Sequence, residues 1–163
     1  MKKNNPLVGV VMGSLSDKDV MEGCMTTLTE LGIPWELKVT SAHRTPDQTH
    51  EFAGKAADRG IKVIIAGAGW AAHLAGVIAS YTLLPVIGVP IDSSPLKGMD
   101  SLLSIVQMPP GIPVATVAIG KGGAKNAAIL AAQILALSHP DIAGSLKAYR
   151  EKITGDAVEK GKI

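Results

Sequence analysis

The chain has 163 residues, a length that fits one domain with a proper buried core. Hydrophobic residues make up 47% but aromatics only 3%, so the predicted core is aliphatic and closely packed through Ala and Gly. A net charge of +2 without a basic stripe argues against nucleic acid, and no segment nears the roughly 20 apolar residues that span a bilayer. Lone Cys24 leaves no intramolecular disulfide, fits a reducing compartment and reads as a small buried hydrophobe. Met1-Lys2-Lys3 and the short apolar run from Leu7 to Met12 lead into Gly13-Ser14 without a cleavage site, so no signal peptide is expected and the cytoplasm is the default location.

The elements are predicted in chain order. Leu7 to Met12 is a continuous apolar run, the mark of a strand buried on both faces. Ser16 or Asp17 then caps a helix to about Leu31, and Gly32 stops it. Trp35 to Val39 is a second strand, and Pro46 opens a helix that ends near Gly60. Lys62 to Ala66 is a third strand, followed by a small-residue helix over Ala71 to Tyr81. Pro85 to Val89 is a fourth strand, and Asp100 to Gln107 a helix. Met108 to Pro113 reads as a loop, Val114 to Ile119 as a fifth strand and Gly122 to Leu137 as a long Ala-rich helix. Pro140 or Asp141 starts a terminal helix with a charged face and a fraying Lys-rich tail. This alternation predicts an α/β fold, with a five-stranded, doubly wound parallel sheet in the order 2-1-3-4-5. No linker or domain boundary interrupts it, which predicts a single domain over 1–163, with a core at about 7–137 and the terminal helix and tail at about 139–163. The Ala-rich helix is apolar around nearly its whole circumference, which predicts cover on all sides and subunit contact.

Three strand-to-helix turns carry the chemistry: Gly13-Ser14-Leu15-Ser16-Asp17, Ser41-Ala42-His43-Arg44-Thr45-Pro46 and Gly67-Ala68-Gly69-Trp70-Ala71-Ala72-His73. In an open parallel sheet such turns gather beyond the carboxyl ends of the strands. The first offers Ser14 and Ser16 hydroxyls and free N–H groups to an anion, though it also suits a plain capping motif. Asp17 repels a phosphate and fits better as an acceptor for sugar hydroxyls or as an orienting partner for a cation. In the second, Arg44 suits a phosphate or carboxylate, and His43 suits a general acid or base. In the third, Gly67-x-Gly69-x-x-Ala72 with Asp92 further on has the form of a dinucleotide fingerprint, although it follows the third strand rather than the first. His73 suits either a substrate contact or a cap. His50 and His139 read as surface residues, and the histidines show no metal-ligand spacing.

These turns, together with Asp100-Ser101-Leu102 and Ser104-Ile105-Val106-Gln107-Met108-Pro109, closely resemble the 5-(carboxyamino)imidazole ribonucleotide mutase family over about residues 7 to 137. The resemblance implies a flavodoxin-like three-layer α/β/α sandwich, a homo-octamer and no metal or other cofactor. It implies a small ribonucleotide substrate that carries a carbamate, and a functional link to the ATP-dependent synthetase that makes it. Neither nucleic acid nor membrane is an implied partner. His43 matches the family's catalytic histidine. Ser14, Asp17 and Arg44 match substrate-binding positions. Ser16, Ser41, Ala42, Gly69, His73 and Leu74 fall in turns that line the same site. Trp70 and Ala75 depart from the pattern, where many relatives carry Gly and Pro. Direct carboxylation by carbon dioxide, and a non-catalytic nucleotide-binding module, are the alternatives.

Overall fold

The structure is a computed structural model that describes residues 5–161. Met1-Lys2-Lys3, on which the leader reading partly rests, and Lys162 and Ile163 of the tail lie outside the described residues.

Five strands form one parallel sheet: β1 (Val8–Met12), β2 (Trp35–Val39), β3 (Val63–Gly69), β4 (Val86–Ile91) and β5 (Ala115–Thr116). Their order is β2-β1-β3-β4-β5, as the alternation of elements predicts. The helices are α1 (Lys18–Glu30), α2 (Pro46–Gly54), α3 (Leu74–Ser80), α4 (Met99–Val106), α5 (Gly120–Ala136) and α6 (Pro140–Lys160). The result is a flavodoxin-like α/β/α sandwich.

Successive strand side chains point to opposite faces, which divides the core in two. Val8, Val10 and Met12 join Val63, Ile65, Ile87 and Val89 beneath α1, α5 and α6. Val11, Ile64, Ala66 and Val86 pack on the other face against α2, α3 and α4. With both faces covered, β1 and β4 are buried along their whole length, which explains their unbroken apolar runs. Few rings fill the interior, and close approach does so instead: Gly88 lies under Ile105 and Val114, where a side chain would collide. Gly32 ends the α1 segment with a φ of 71°, a conformation that a β-carbon disfavours.

Four elements differ from the sequence expectation. α2 ends at Gly54 rather than near Gly60, and a separate 3-10 turn over Ala57–Arg59 follows it. β3 runs on through Gly67, Ala68 and Gly69, because those small residues continue to pair with β4 as far as Gly69 against Ile91. α3 consequently starts at Leu74, after a turn at Trp70 to His73. β5 shrinks to Ala115–Thr116, since Pro113 has no N–H to donate and the chain leaves the sheet edge to open α5 at Gly120. The apolar circumference of α5 is covered only in part within the subunit: Ile129, Leu130 and Ile134 are half-buried, and Leu137 just past its end is exposed. Its Ala124, Ala127, Ala128, Ala131 and Ala132 are buried against the sheet, α1 and α6. Cys24 is buried in the same layer, and desolvation pushes its thiol up to about 12, which keeps it unreactive.

Candidate active site

The strand order reverses between β1 and β3, and in such sheets the loops above that point leave a crevice. A hollow of about 580 Å³ opens there. All ten site residues proposed from the sequence line it: Ser14, Ser16, Asp17, Ser41, Ala42, His43, Arg44, Gly69, His73 and Leu74. Gly13, Ala68, Trp70, Ala71, Ala72 and Ser93 complete the wall.

The first turn leaves β1 at Gly13 and folds at once into a short 3-10 turn over Leu15–Asp17 that feeds α1. Ser14 caps the 3-10 turn, its side chain accepting from the Ser16 N–H at 3.3 Å, and Asp17 takes the N-cap position of α1 as expected but makes no side-chain capping bond. The helix therefore presents its positive end to the hollow, a setting that favours an anion. Asp17 is only 7% exposed. Burial pushes its carboxyl above the usual carboxylate range, while bonds from the Ser14 backbone and the Ser16 side chain, and the Arg44 charge, pull it back.

The second turn is held by hydroxyls. Thr40 Oγ1 lies 3.0 Å from both Thr45 Oγ1 and Thr49 Oγ1. Thr45 Oγ1 accepts from the Ser41 N–H at 2.9 Å and donates to the Ser41 carbonyl at 3.2 Å. The Arg44 N–H donates to Ser41 Oγ at 3.2 Å. These ties fix the backbone from which His43 and Arg44 project. Arg44 Nη2 reaches across to the Gly13 carbonyl at 3.3 Å and joins the second turn to the first. Among the described residues the ion pairs are Lys55–Glu51, Arg59–Glu36 and Lys121–Asp19, none of them at the hollow. The Arg44 guanidinium thus keeps donors for an incoming anion.

The third turn brings His73 to His43, with His43 Nε2 2.7 Å from His73 Nδ1. His73 stands at the start of α3 without capping it through its side chain. Trp70 is 59% exposed on the lip of the hollow, and its φ of 55° is strained for a bulky residue. The dinucleotide reading does not survive: Gly67 to Gly69 are strand residues rather than a phosphate-binding turn, and Asp92 lies beside Gly98 and Gly120, off the hollow. Ser93 is the wall residue that sequence reading passed over. It follows β4, and its side chain lies against Gly69. The rule that ligands sit beyond strand carboxyl ends points to it, since β4 neighbours β3. Among the described residues no three His, Cys, Asp or Glu side chains gather as metal ligands would.

The sequence matches the family described as AIR carboxylase over residues 7–156. This chain belongs to that family. N5-carboxyaminoimidazole ribonucleotide mutase of Pyrococcus horikoshii is 57% identical over 99% of this chain and 90% of its own length. The Bacillus subtilis protein of the same name is 58% identical over 94% of this chain and 95% of its own. Among solved structures, Treponema denticola PurE superposes with a TM-score of 0.84 at 33% identity, over 94% of this chain and 95% of that one. Membership of the AIR carboxylase family agrees with the resemblance carried by the three turns. The same turns form most of the wall of the hollow at the β1/β3 switch point.

Proposed function

We propose that this member of the family moves the carboxylate of 5-(carboxyamino)imidazole ribonucleotide from the exocyclic nitrogen to carbon 4 of the imidazole. The observation that carries this reading is convergence. An imidazole, a guanidinium with free donors, a serine-lined helix start and a buried aspartate share one nucleotide-sized hollow. Arg44 and the first turn hold the phosphate, and Asp17 accepts from the ribose hydroxyls. His43 acts as general acid and protonates the exocyclic nitrogen as the carbamate loses carbon dioxide. The hollow retains the carbon dioxide at a high effective concentration. Carbon 4 attacks it, and neutral His43 removes the carbon 4 proton to restore aromaticity. One residue serves twice, so the cycle consumes no net proton.

The chain works as one catalytic domain, with α6 as an appendage to the core. The reading extends to the cytoplasm, to a working link with the ATP-dependent synthetase that forms the carbamate, and to a homo-octamer. Support for an oligomer comes from α4, where Met99, Leu103 and Val106 form an exposed apolar stripe at helical spacing next to exposed Leu96. Light scattering on the purified chain tests it, and a monomer at working concentration contradicts it. Among the described residues no helix is long and apolar enough to cross a membrane.

The family's description as AIR carboxylase favours a second reading, direct carboxylation of aminoimidazole ribonucleotide by carbon dioxide. Two assays separate them. The mutase turns over the carbamate nucleotide without added bicarbonate. A carboxylase needs aminoimidazole ribonucleotide with bicarbonate and leaves the carbamate untouched.

A further inference from the structure

We propose that His73 is a positioning residue for His43. Its Nδ1 accepts the Nε2–H of His43, which makes Nδ1 of His43 the nitrogen that exchanges protons with substrate. The inference rests on the acid-then-base reading of His43 and adds the atom through which it works.

The geometry is specific. The two nitrogens are 2.7 Å apart, within the range of a strong hydrogen bond. The rings meet edge to face, with centroids 4.8 Å apart and planes at 75°. Among the described residues neither imidazole has another hydrogen-bond partner. The contact joins the second turn to the third, 30 residues apart in the chain, so no local turn geometry demands it. His73 also does not cap α3, which removes the plain structural reason for a histidine at that position.

The proton inventory settles the direction of the bond. When His43 is the general acid, both its ring nitrogens carry protons and both can only donate. The Nε2–H therefore points at His73, whose Nδ1 is a lone pair and whose own proton sits on Nε2. His43 then gives its Nδ1 proton to the exocyclic nitrogen as the bond from that nitrogen to the carboxylate carbon breaks. Both rings are now neutral, and Nε2–H stays where it was. Nδ1 is left bare, ready to take the proton from carbon 4. Returning that proton regenerates the starting state. His73 never changes its protonation.

The reverse orientation does not support the cycle. A proton on His73 Nδ1 would occupy the Nε2 lone pair of neutral His43 and leave its Nδ1 as N–H. A ring held in that tautomer has no free base to aim at carbon 4. A carboxylate in place of His73 would fix the tautomer equally well. It would also stand in the hollow that receives a phosphate and a carboxylate, and repel both. A neutral imidazole orients without that repulsion.

The test uses the intact protein with two substitutions and two readouts. His73→Leu removes the acceptor, and His73→Asn keeps an amide oxygen close to the position of Nδ1. His73→Leu is expected to lower kcat about 10- to 100-fold with KM changed less than about threefold, the scale seen when a hydrogen-bonded support is lost. His73→Asn is expected to recover most of that loss. Proton NMR of the resting protein reads the bond without any turnover. The Nε2–H of His43 is expected as an exchange-protected, downfield imidazole resonance in the native protein and in His73→Asn, and to vanish in His73→Leu. The proposal is overturned if His73→Leu keeps native kcat, if its loss lies wholly in KM, or if the resonance persists without His73. His43→Asn is the control for the underlying reading. Native turnover in that variant sinks the role of His43 itself, whereas an inactive His43→Asn beside a fully active His73→Leu sinks only the role of His73.

Discussion

The rim above β1, β2 and β3 and the helical layer beneath it follow opposite rules. On the rim, His43, Arg44 and His73 are exposed, and their placement comes from hydrogen bonds such as the Thr40, Thr45 and Thr49 hydroxyl cluster. In the layer, Met21, Cys24, Leu28, Ala128 and Ala132 have no exposed surface, and their placement comes from packing alone. The contrast teaches where each kind of change must register. A rim substitution alters rate and affinity with little effect on stability, and a layer substitution does the reverse.

The largest expected effect is on the rim. His43→Asn is expected to lower kcat by about 10³-fold or more, since a lost general acid and base costs on the order of 10² to 10⁴. Its melting temperature should match that of the native protein, because the imidazole packs against no core. A Tm drop of many degrees would break the separation. Next is Leu28→Ala in α1, which empties part of a fully buried site. It should cost about 2–5 kcal/mol in urea unfolding, with kcat per folded molecule preserved. Arg44→Ala should raise KM about 10- to 100-fold, the worth of a charged hydrogen bond, and leave urea unfolding nearly unchanged. Thr45→Val sharpens the boundary, because this residue belongs to the rim yet ties buried hydroxyls. It should cost about 1–2 kcal/mol of stability and also slow turnover by loosening the loop that carries His43.

The smallest effect concerns pH. Burial raises the Asp17 pKa above its unfolded value of 3.8, so ionisation works against folding. Its contribution to stability is therefore most favourable below 3.8 and declines as pH rises through the folded value. Asp17→Asn should flatten that part of the stability–pH curve and make the fold slightly more stable at neutral pH. Its KM should rise about tenfold for loss of the charged acceptor. A variant that is both less stable at neutral pH and unchanged in KM would contradict this placement of Asp17.

Much of this was legible in the sequence, for physical reasons. Strands buried on both faces read as unbroken apolar runs, which made β1 and β4 visible, and Gly32 and Pro46 marked their helix boundaries. The strand order followed from right-handed crossovers, and the order alone gathers the three turns. What stayed hidden depends on pairing and on contacts between distant residues. Gly67 to Gly69 read as a turn because small residues suit one, but pairing with β4 holds them extended. Val114 to Ile119 had the composition of a full strand, yet Pro113 and the start of α5 at Gly120 left only Ala115 and Thr116 in the ladder. The all-apolar α5 hid which side faces inward: Ala124, Ala127, Ala128, Ala131 and Ala132 pack in the core, whereas Ile129, Leu130 and Ile134 stay half-buried. The bond between His43 and His73 has no local signature at all, since the residues meet only after β1 and β3 have paired.

The central claim is that His43 and the anion-holding groups around it act on one bound carbamate nucleotide. The most direct measurement follows conversion of that nucleotide, labelled in its carboxylate, in bicarbonate-free buffer with the native protein and with His43→Asn. Label carried onto carbon 4 by the native protein, and about 10³-fold more slowly or not at all by the variant, is the expected result. Conversion that needs added bicarbonate, or that proceeds at the native rate without the imidazole, would contradict it.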